Sequence, residues 1–463
     1  MPQNAKYDLV TLGSGPAGQK AALAAAKLGK RVAIIEPRFL GGICTHAGTI
    51  PSKTFREAAL HLTNYRLRFM DAGFKKKPSM EELVQRVSWV IGKEIAVLEN
   101  QLKGNRIEIV PGYGKFVDDH HIEVSNHQGE LVSTVETQFT VISSGTQPFL
   151  RPDVAFDGER IFYTDNALTM KKLPRSITIV GGGIIGCEYA SIYSILGVKV
   201  NVIEKRPEIL SLVDRDMRAN LVTQLDSRKV NFFLGDDVES CAVNGEGHVE
   251  VRLSSGKLVR SEMALFCTFR KVCTDILALD KVGVEMSDRG VIKVDQDFRT
   301  SNPGIFAAGD VIGHPSLAST SFEQGRIAGT RAFGAPCQPM SKDLPIGIYT
   351  IPEISYVGPT EEELTKAKVP YQVGKAYYKD TSKGNIMGAL DGVVKIMFHQ
   401  ESLKLLAVHV IGESASELVH VGQAVMEHGG SVEYFVENVF NFPTLAEAYK
   451  IAALSGLNRL RDV

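Results

Sequence analysis

Two stretches of the chain carry the same pattern of apolar and polar positions. Residues 7–12 (YDLVTL) form a short apolar run that ends on Gly13, Gly15 and Gly18. An alanine-rich helical stretch over 19–28 follows, then a turn at Gly29 and Lys30, and a second apolar run over 31–35 that ends on Glu36. Further on, residues 177–180 run into Gly181, Gly183 and Gly186, a helical stretch reaches Leu196, Gly197 turns the chain, and 198–203 ends on Glu204. In both copies the first glycine and the acid are 23 positions apart, and the first glycine and the turn glycine 16. Strand, glycine turn, helix and acid-tipped strand make a dinucleotide-binding βαβ unit. Glycines let backbone approach a pyrophosphate, the helix N-terminus favours the anion, and the acid accepts ribose hydroxyls. Two copies predict two bound dinucleotides.

Between them, residues 78–103 place Leu83, Val87, Val90, Ile91, Ile95 and Leu98 at helical spacing, which predicts a scaffold helix with Trp89 packed in it. From Gly112 the pattern alternates as strands do, through His121 and Glu123 to Ser143, with His120 and His121 at a solvated turn beside Asp118 and Asp119. After about Leu344 the texture changes to paired strand-like runs (393–398 and 405–411), an amphipathic helix over 416–428, and a helix-rich end over 441–460.

At 463 residues the chain is long enough for about three domains. Its 52 Lys and Arg nearly balance 53 Asp and Glu, with no basic run, so neither nucleic acid nor an anionic membrane is an expected partner. The apolar stretch 177–203 is broken by Glu188 and Lys199, and residues near the start are too briefly apolar for a signal-peptide core, so no membrane span or leader is expected. Six scattered cysteines (Cys44, Cys187, Cys241, Cys267, Cys273, Cys337) without a CxxC pair predict reduced thiols, no metal site and a cytoplasmic location. All but Cys44 read as small buried apolar residues.

Residues 41–53, GGICTHAGTIPSK, resemble the GGxCxxxGCxPSK segment of the flavoprotein disulfide reductases, the lipoamide dehydrogenase-like, FAD-dependent pyridine nucleotide-disulfide oxidoreductases. In that family two cysteines five apart lie on a helix against the flavin. Here Thr49 stands at the second position, which resembles the soluble pyridine nucleotide transhydrogenase branch. Residues 144–148 (SGTQP) resemble the family's junction between domains, and 307–310 (AAGD) its second FAD motif, in which Asp310 would bind the ribityl chain. The resemblance covers essentially the whole chain. It implies an α/β fold with two Rossmann-like dinucleotide-binding domains and a C-terminal α+β dimerisation domain. The expected domains are FAD-binding (1–148 and 273–343), NAD(P)-binding (149–272) and dimerisation (344–463), in a homodimer or a larger homo-oligomer.

Motifs and resemblance together predict cofactor contacts at Gly13, Gly15, Gly18, Glu36, Gly42, Cys44, Thr45, Lys53, Gly114, Gly145, Gly309, Asp310 and Ala318 for FAD. For NAD or NADP they predict Gly181, Gly183, Gly186, Glu204, Arg206 and Arg270. Lys53 and Glu188 take the catalytic roles: an ammonium stabilises the charge that develops as hydride reaches the flavin, and the glutamate pairs with it. A disulfide step needs two thiols, and the family's acid–base histidine is replaced by Phe442, although its companion acid Glu447 remains. Both changes disfavour a thiol substrate and leave hydride transfer from NAD(P)H to FAD and from reduced FAD outward. The resemblance to the transhydrogenase branch implies the other nicotinamide nucleotide as acceptor, that is, transfer between NADPH and NAD⁺. Glu204-Lys205-Arg206 is a mixed signal, since the acid suits a free 2′-hydroxyl and the bases a 2′-phosphate. A plain NAD site with two solvated bases fits the same residues. Phe269 stands where the family has a glycine, and its ring would stack on the nucleotide or exclude it. Two other readings remain: an NAD(P)H-dependent reductase of a quinone or other small acceptor, and a flavin-binding protein without enzymatic activity.

Overall fold

The computed structural model describes residues 4–63 and 78–461. They fall into two units, the first built from 4–55, 84–149 and 269–341, the second from 56–63, 78–83, 150–268 and 342–461.

The first unit is organised on the strand Asn4–Leu12, whose apolar side chains Leu9, Val10 and Leu12 are buried. It pairs in parallel with Val32–Glu36 on one side and Leu131–Ile142 on the other. Glu108–Pro111 extends the sheet in parallel beyond Val32–Glu36, and Ile305–Ala307 pairs in parallel with Leu131–Ile142. An antiparallel hairpin, Tyr113–Phe116 and His121–Ser125, completes seven strands. The helix Pro16–Lys27 buries Ala17, Ala21, Ala22 and Ala25, and small residues let the helix Ala318–Arg331 lie close to it. A Cβ on Gly325 would stand 2.0 Å from the carbonyl oxygen of Ala17, and one on Gly329 2.4 Å from that of Ala21. Both helices thus start at the same end of the sheet, where the glycine loop and Asp310 also lie.

The second unit holds the repeated pattern. A five-stranded parallel sheet runs Asn231–Leu234, Lys199–Glu204, Ser176–Val180, Met263–Phe266, Ile161–Tyr163, beside a three-stranded antiparallel sheet over 238–261. The helix Ile184–Ile195 is buried nearly all round, which explains its continuous apolar sequence. A five-stranded antiparallel sheet from residues 346–412 packs against the helices Ala415–Glu427 and Glu447–Arg461. No helix among the described residues is long and apolar enough to cross a membrane.

Three expectations change. Trp89 is not packed inward: on the helix Met80–Gly104 it is 54% exposed, with Arg86 and Lys93 over its ring, because the apolar stripe at Leu83, Val87 and Leu98 faces the other way. Cys273 and Cys337 are only half-buried, unlike Cys187, Cys241 and Cys267, and the Cys337 sulfur accepts a hydrogen bond from Arg326. The 41–53 stretch does not form one helix. Gly42–His46 is a short helix, Ala47 and Gly48 close it with their amides on the Ile43 carbonyl, and a second helix, Thr49–Leu62, begins afresh.

Candidate functional site

At the first glycine loop two of the three glycines, Gly13 and Gly18, have no room for a side chain. Gly13, at φ +107°, would bring a Cβ to 2.5 Å from the Ser143 carbonyl oxygen, and Gly18 to 2.0 Å from that of Gly13. Gly15 caps the helix, and Pro16 at its first position carries no N–H, so the amides that follow are the ones left for an anion. Glu36 is held at the rim: one carboxylate oxygen accepts the Ser14 amide (2.9 Å) and hydroxyl (2.6 Å), the other the Arg38 amide (2.9 Å).

Ser14, which sequence reasoning passed over, ties three elements together. Fully buried, it bonds Glu36, and its Oγ accepts the Gly41 amide at 2.9 Å. Gly41 and Gly42 both have positive φ, and a Cβ on Gly42 would be 3.1 Å from Gly15 Cα, so the short helix starts directly against the loop. Thr45 closes it with a bond to the Gly41 carbonyl (3.3 Å).

Cys44 is half-buried on this short helix. Burial pushes its thiol above the ordinary value, while a hydrogen bond from Thr49 and the nearby Lys53 charge oppose the rise and Asp310 adds to it. Cys44, Thr49, Lys53 and Asp310 therefore share one electrostatic neighbourhood. Asp310 follows Gly309, whose amide donates to Gln324 (2.9 Å). Burial raises the Asp310 carboxyl, against the opposing effects of Thr146 and Arg270. Thr146 Oγ1 donates to Asp310 at 3.2 Å and itself accepts Arg270 Nε at 3.0 Å, and Arg270 Nη2 donates to the Thr146 carbonyl at 3.1 Å. Arg270 thus stands in the first unit, on a short strand paired with Thr146–Pro148, one residue from Gly145. Phe269 beside it is 57% exposed and meets Phe149 edge-to-face at 6.1 Å. Gly114 lies lower, where a Cβ would meet Leu12 at 2.7 Å, and Ala318 opens its helix.

The second loop repeats the first nearly atom for atom. A Cβ on Gly181 would be 2.5 Å from the Cys267 carbonyl oxygen and one on Gly186 1.8 Å from that of Gly181, while Gly183 caps the helix. Glu204 Oε2 accepts the Gly182 amide at 2.7 Å and Oε1 the Arg206 amide at 2.9 Å, as Glu36 does with Ser14 and Arg38. Here a guanidinium is added: Arg206 Nε and Nη2 donate to Oε1 (3.0 Å) and Oε2 (3.2 Å). Burial would raise Glu204, but Arg206 and the two amides outweigh it and hold the carboxyl below the usual range. Lys205 is paired with Asp237 at 2.8 Å. Neither base is a bare solvated charge. Glu188, 4% exposed on the helix after this loop, accepts the Tyr349 amide at 2.9 Å. Lys53 belongs to the first unit and Glu188 to the second.

Two glycine loops, each with two positions that exclude a Cβ and each facing a fixed carboxylate, fit two dinucleotides, and the Cys44–Lys53–Asp310 group beside the first fits a flavin's reactive end. These are features of a flavin- and nucleotide-dependent oxidoreductase, and the comparisons agree. The pyridine nucleotide-disulphide oxidoreductase model matches residues 7–325 and its dimerisation domain residues 344–453, so the chain belongs to this family of FAD- and NAD(P)-using enzymes. Within it, the chain is 47% identical to the soluble pyridine nucleotide transhydrogenase of Mycobacterium tuberculosis over 98% of both chains. It is 43% identical to that of Hahella chejuensis over 98% of this chain and 99% of the relative. Among solved structures, LpdA from Mycobacterium tuberculosis matches with a TM-score of 0.91 at 27% identity, covering 97% of this chain and 99% of the other. The HOCl-induced flavoprotein disulfide reductase RclA from Escherichia coli, as its Cu(II) complex, matches with a TM-score of 0.88 at 25% identity, over 97% and 99%.

Proposed function

We propose that this protein transfers hydride between NADPH and NAD⁺ by way of FAD, the two pyridine nucleotides using the Gly181–Glu204 site in turn, with no dithiol or disulfide step. The observation that carries the proposal is that Thr49, not a second thiol, is the neighbour that acts on Cys44, in a chain that also holds two dinucleotide loops. Relatives named as transhydrogenases support it.

When bound, FAD supplies the relay, accepting hydride from a reduced nucleotide and yielding it to an oxidised one. Gly13, Gly15 and Gly18 would let backbone approach its pyrophosphate, Glu36 would hold a ribose, and Asp310, steadied by Thr146, would hold the ribityl chain. The Cys44 thiol, kept protonated at neutral pH by burial, is a neutral neighbour rather than a nucleophile. Lys53 would provide positive charge where negative charge develops, and Glu188, whose carboxylate accepts the Tyr349 amide, is the second residue given a catalytic role by the family resemblance. The expected domains (1–148 with 273–343, 149–272 and 344–463) then serve FAD, the nicotinamide nucleotide and assembly. Exposed apolar residues near the C-terminus, Val439 and Phe442, support a homodimer or larger assembly, and a cytoplasmic setting is the one expected from the scattered cysteines of the sequence.

The test mixes the FAD-loaded protein with NADPH and thio-NAD⁺, whose reduced form absorbs apart from NADPH. Sustained formation of thio-NADH is expected. Rapid reduction of a quinone such as menadione with no thio-NADH would replace this reading with a quinone reductase.

A further inference from the structure

Glu204 accepts four hydrogen bonds, from two backbone amides and from two nitrogens of one guanidinium. The third arm of that guanidinium, Nη1, reaches Ser211 at 2.8 Å. The carboxylate is buried while the Arg206 side chain is about half exposed, so the acid is fixed and the base faces out. The first loop offers the contrast, since Arg38 gives Glu36 only its amide.

We propose that Glu204 and Arg206 form a two-position specificity switch, in which the closed pair receives the 2′-hydroxyl of NAD(H) and the guanidinium, swung off the carboxylate, receives the 2′-phosphate of NADP(H). This rests on the reading that both nucleotides use this site. Three features make the exchange feasible. Arginine trades one bidentate oxyanion for another, so its donors stay filled. Glu204 keeps the Gly182 and Arg206 amides in both positions, so its buried charge is never without a donor. Ser211, already bonded to Nη1, is a second anchor for the guanidinium apart from Glu204, in a loop tied back to the glycine turn by the Leu210 amide on the Gly182 carbonyl (2.9 Å). In the closed position the guanidinium neutralises the acid, and in the open one the phosphate brings its own counter-charge demand to the same arginine. One residue thereby serves both nucleotides.

The test is calorimetric titration of the FAD-loaded protein with ADP-ribose and with 2′-phospho-ADP-ribose. These probes lack the nicotinamide, so binding is measured whether or not transhydrogenation occurs. Arg206→Gln should weaken 2′-phospho-ADP-ribose at least tenfold and leave ADP-ribose within threefold. Glu204→Gln should weaken ADP-ribose and leave the phosphorylated probe as tight or tighter. Arg206→Lys, which keeps charge without the fork, should fall between wild type and Arg206→Gln for the phosphorylated probe. Equal weakening of both probes by Arg206→Gln, or no effect on the phosphorylated one, would overturn the switch. Absence of thio-NADH formation alongside the expected binding pattern would instead count against the transhydrogenase reading alone.

Discussion

Thr49 counters the burial-driven rise of the Cys44 thiol from the position where a second sulfur would close a redox pair. The short helix carrying Cys44 ends at His46 and the next helix starts with Thr49, so the two residues stand on either side of a turn. Thr49→Cys should therefore create an oxidisable pair. Thiol titration of the unfolded variant should find two fewer free thiols after mild oxidation than after reduction, with Cys44→Ser/Thr49→Cys showing no such loss. In an otherwise native background, Cys44→Ser should leave nucleotide-dependent flavin reduction within about threefold, since a neutral thiol contributes packing and little charge.

The two glycine loops should fail independently. A methyl at Gly18 meets the Gly13 carbonyl and one at Gly186 the Gly181 carbonyl at distances no real Cβ tolerates. Gly18→Ala is expected to purify with its visible flavin absorbance largely lost. Gly186→Ala should keep its flavin yet resist bleaching by NADPH or NADH under anaerobic conditions. Equal flavin loss in both variants would contradict the assignment of one loop to each nucleotide.

Lys395 anchors the second unit. Its ammonium, 1% exposed, contacts Asp214, Asp216 and Glu361 at 2.8, 2.8 and 2.5 Å, and Asp214 caps the helix that follows the Arg206–Ser211 loop. Lys395→Met removes the cation and leaves Asp214 buried without it, a loss of about 3–5 kcal/mol by the general cost of breaking a buried pair. Denaturant unfolding should show it as a lower midpoint. A variant as stable as wild type would mean that the carboxylates find other partners.

Acid should act on the same region in two windows. Burial pushes His409 down to about 4, with its ring stacked on Tyr356 and Nε2 donating to the Pro359 carbonyl at 3.1 Å. Because the folded value lies below the unfolded one near 6.5, its contribution is complete above that pH and is lost as pH falls toward 4. His409→Gln should flatten the stability profile there. Asp216 would be raised by burial alone, but Lys375 and Lys395 hold it at about 2, so its contribution is lost only on going from about pH 4 toward 2. The glutamine variant should leave that lower window intact.

The parts of the site legible in the sequence were those whose requirements are local. Gly13, Gly18, Gly181 and Gly186 are needed because a neighbouring carbonyl occupies the place of a Cβ, and Glu36 and Glu204 because a strand must end on an acceptor at a fixed distance from the turn. Ser14 lies inside the first motif yet was silent, since its partners Glu36 and Gly41 are 22 and 27 positions away and a serine among glycines reads as a turn residue. Thr146 and Arg270 meet across 124 positions, and Lys395 and Asp214 across 181, separations at which no period or spacing carries information. Trp89 misled for a related reason: helical spacing identified the buried stripe, but the ring's size suggested packing where cation–π contacts with Arg86 and Lys93 hold it at the surface.

The most direct test of a flavin relay without thiols separates its two halves. The FAD-loaded protein would be bleached anaerobically with one equivalent of NADPH, freed of NADP⁺ by gel filtration, and mixed with thio-NAD⁺. The account predicts close to one thio-NADH per flavin with full return of the yellow colour, in wild type and Cys44→Ser alike. A bleached protein that returns its colour only with oxygen or a quinone, or a yield that vanishes in Cys44→Ser, would contradict it.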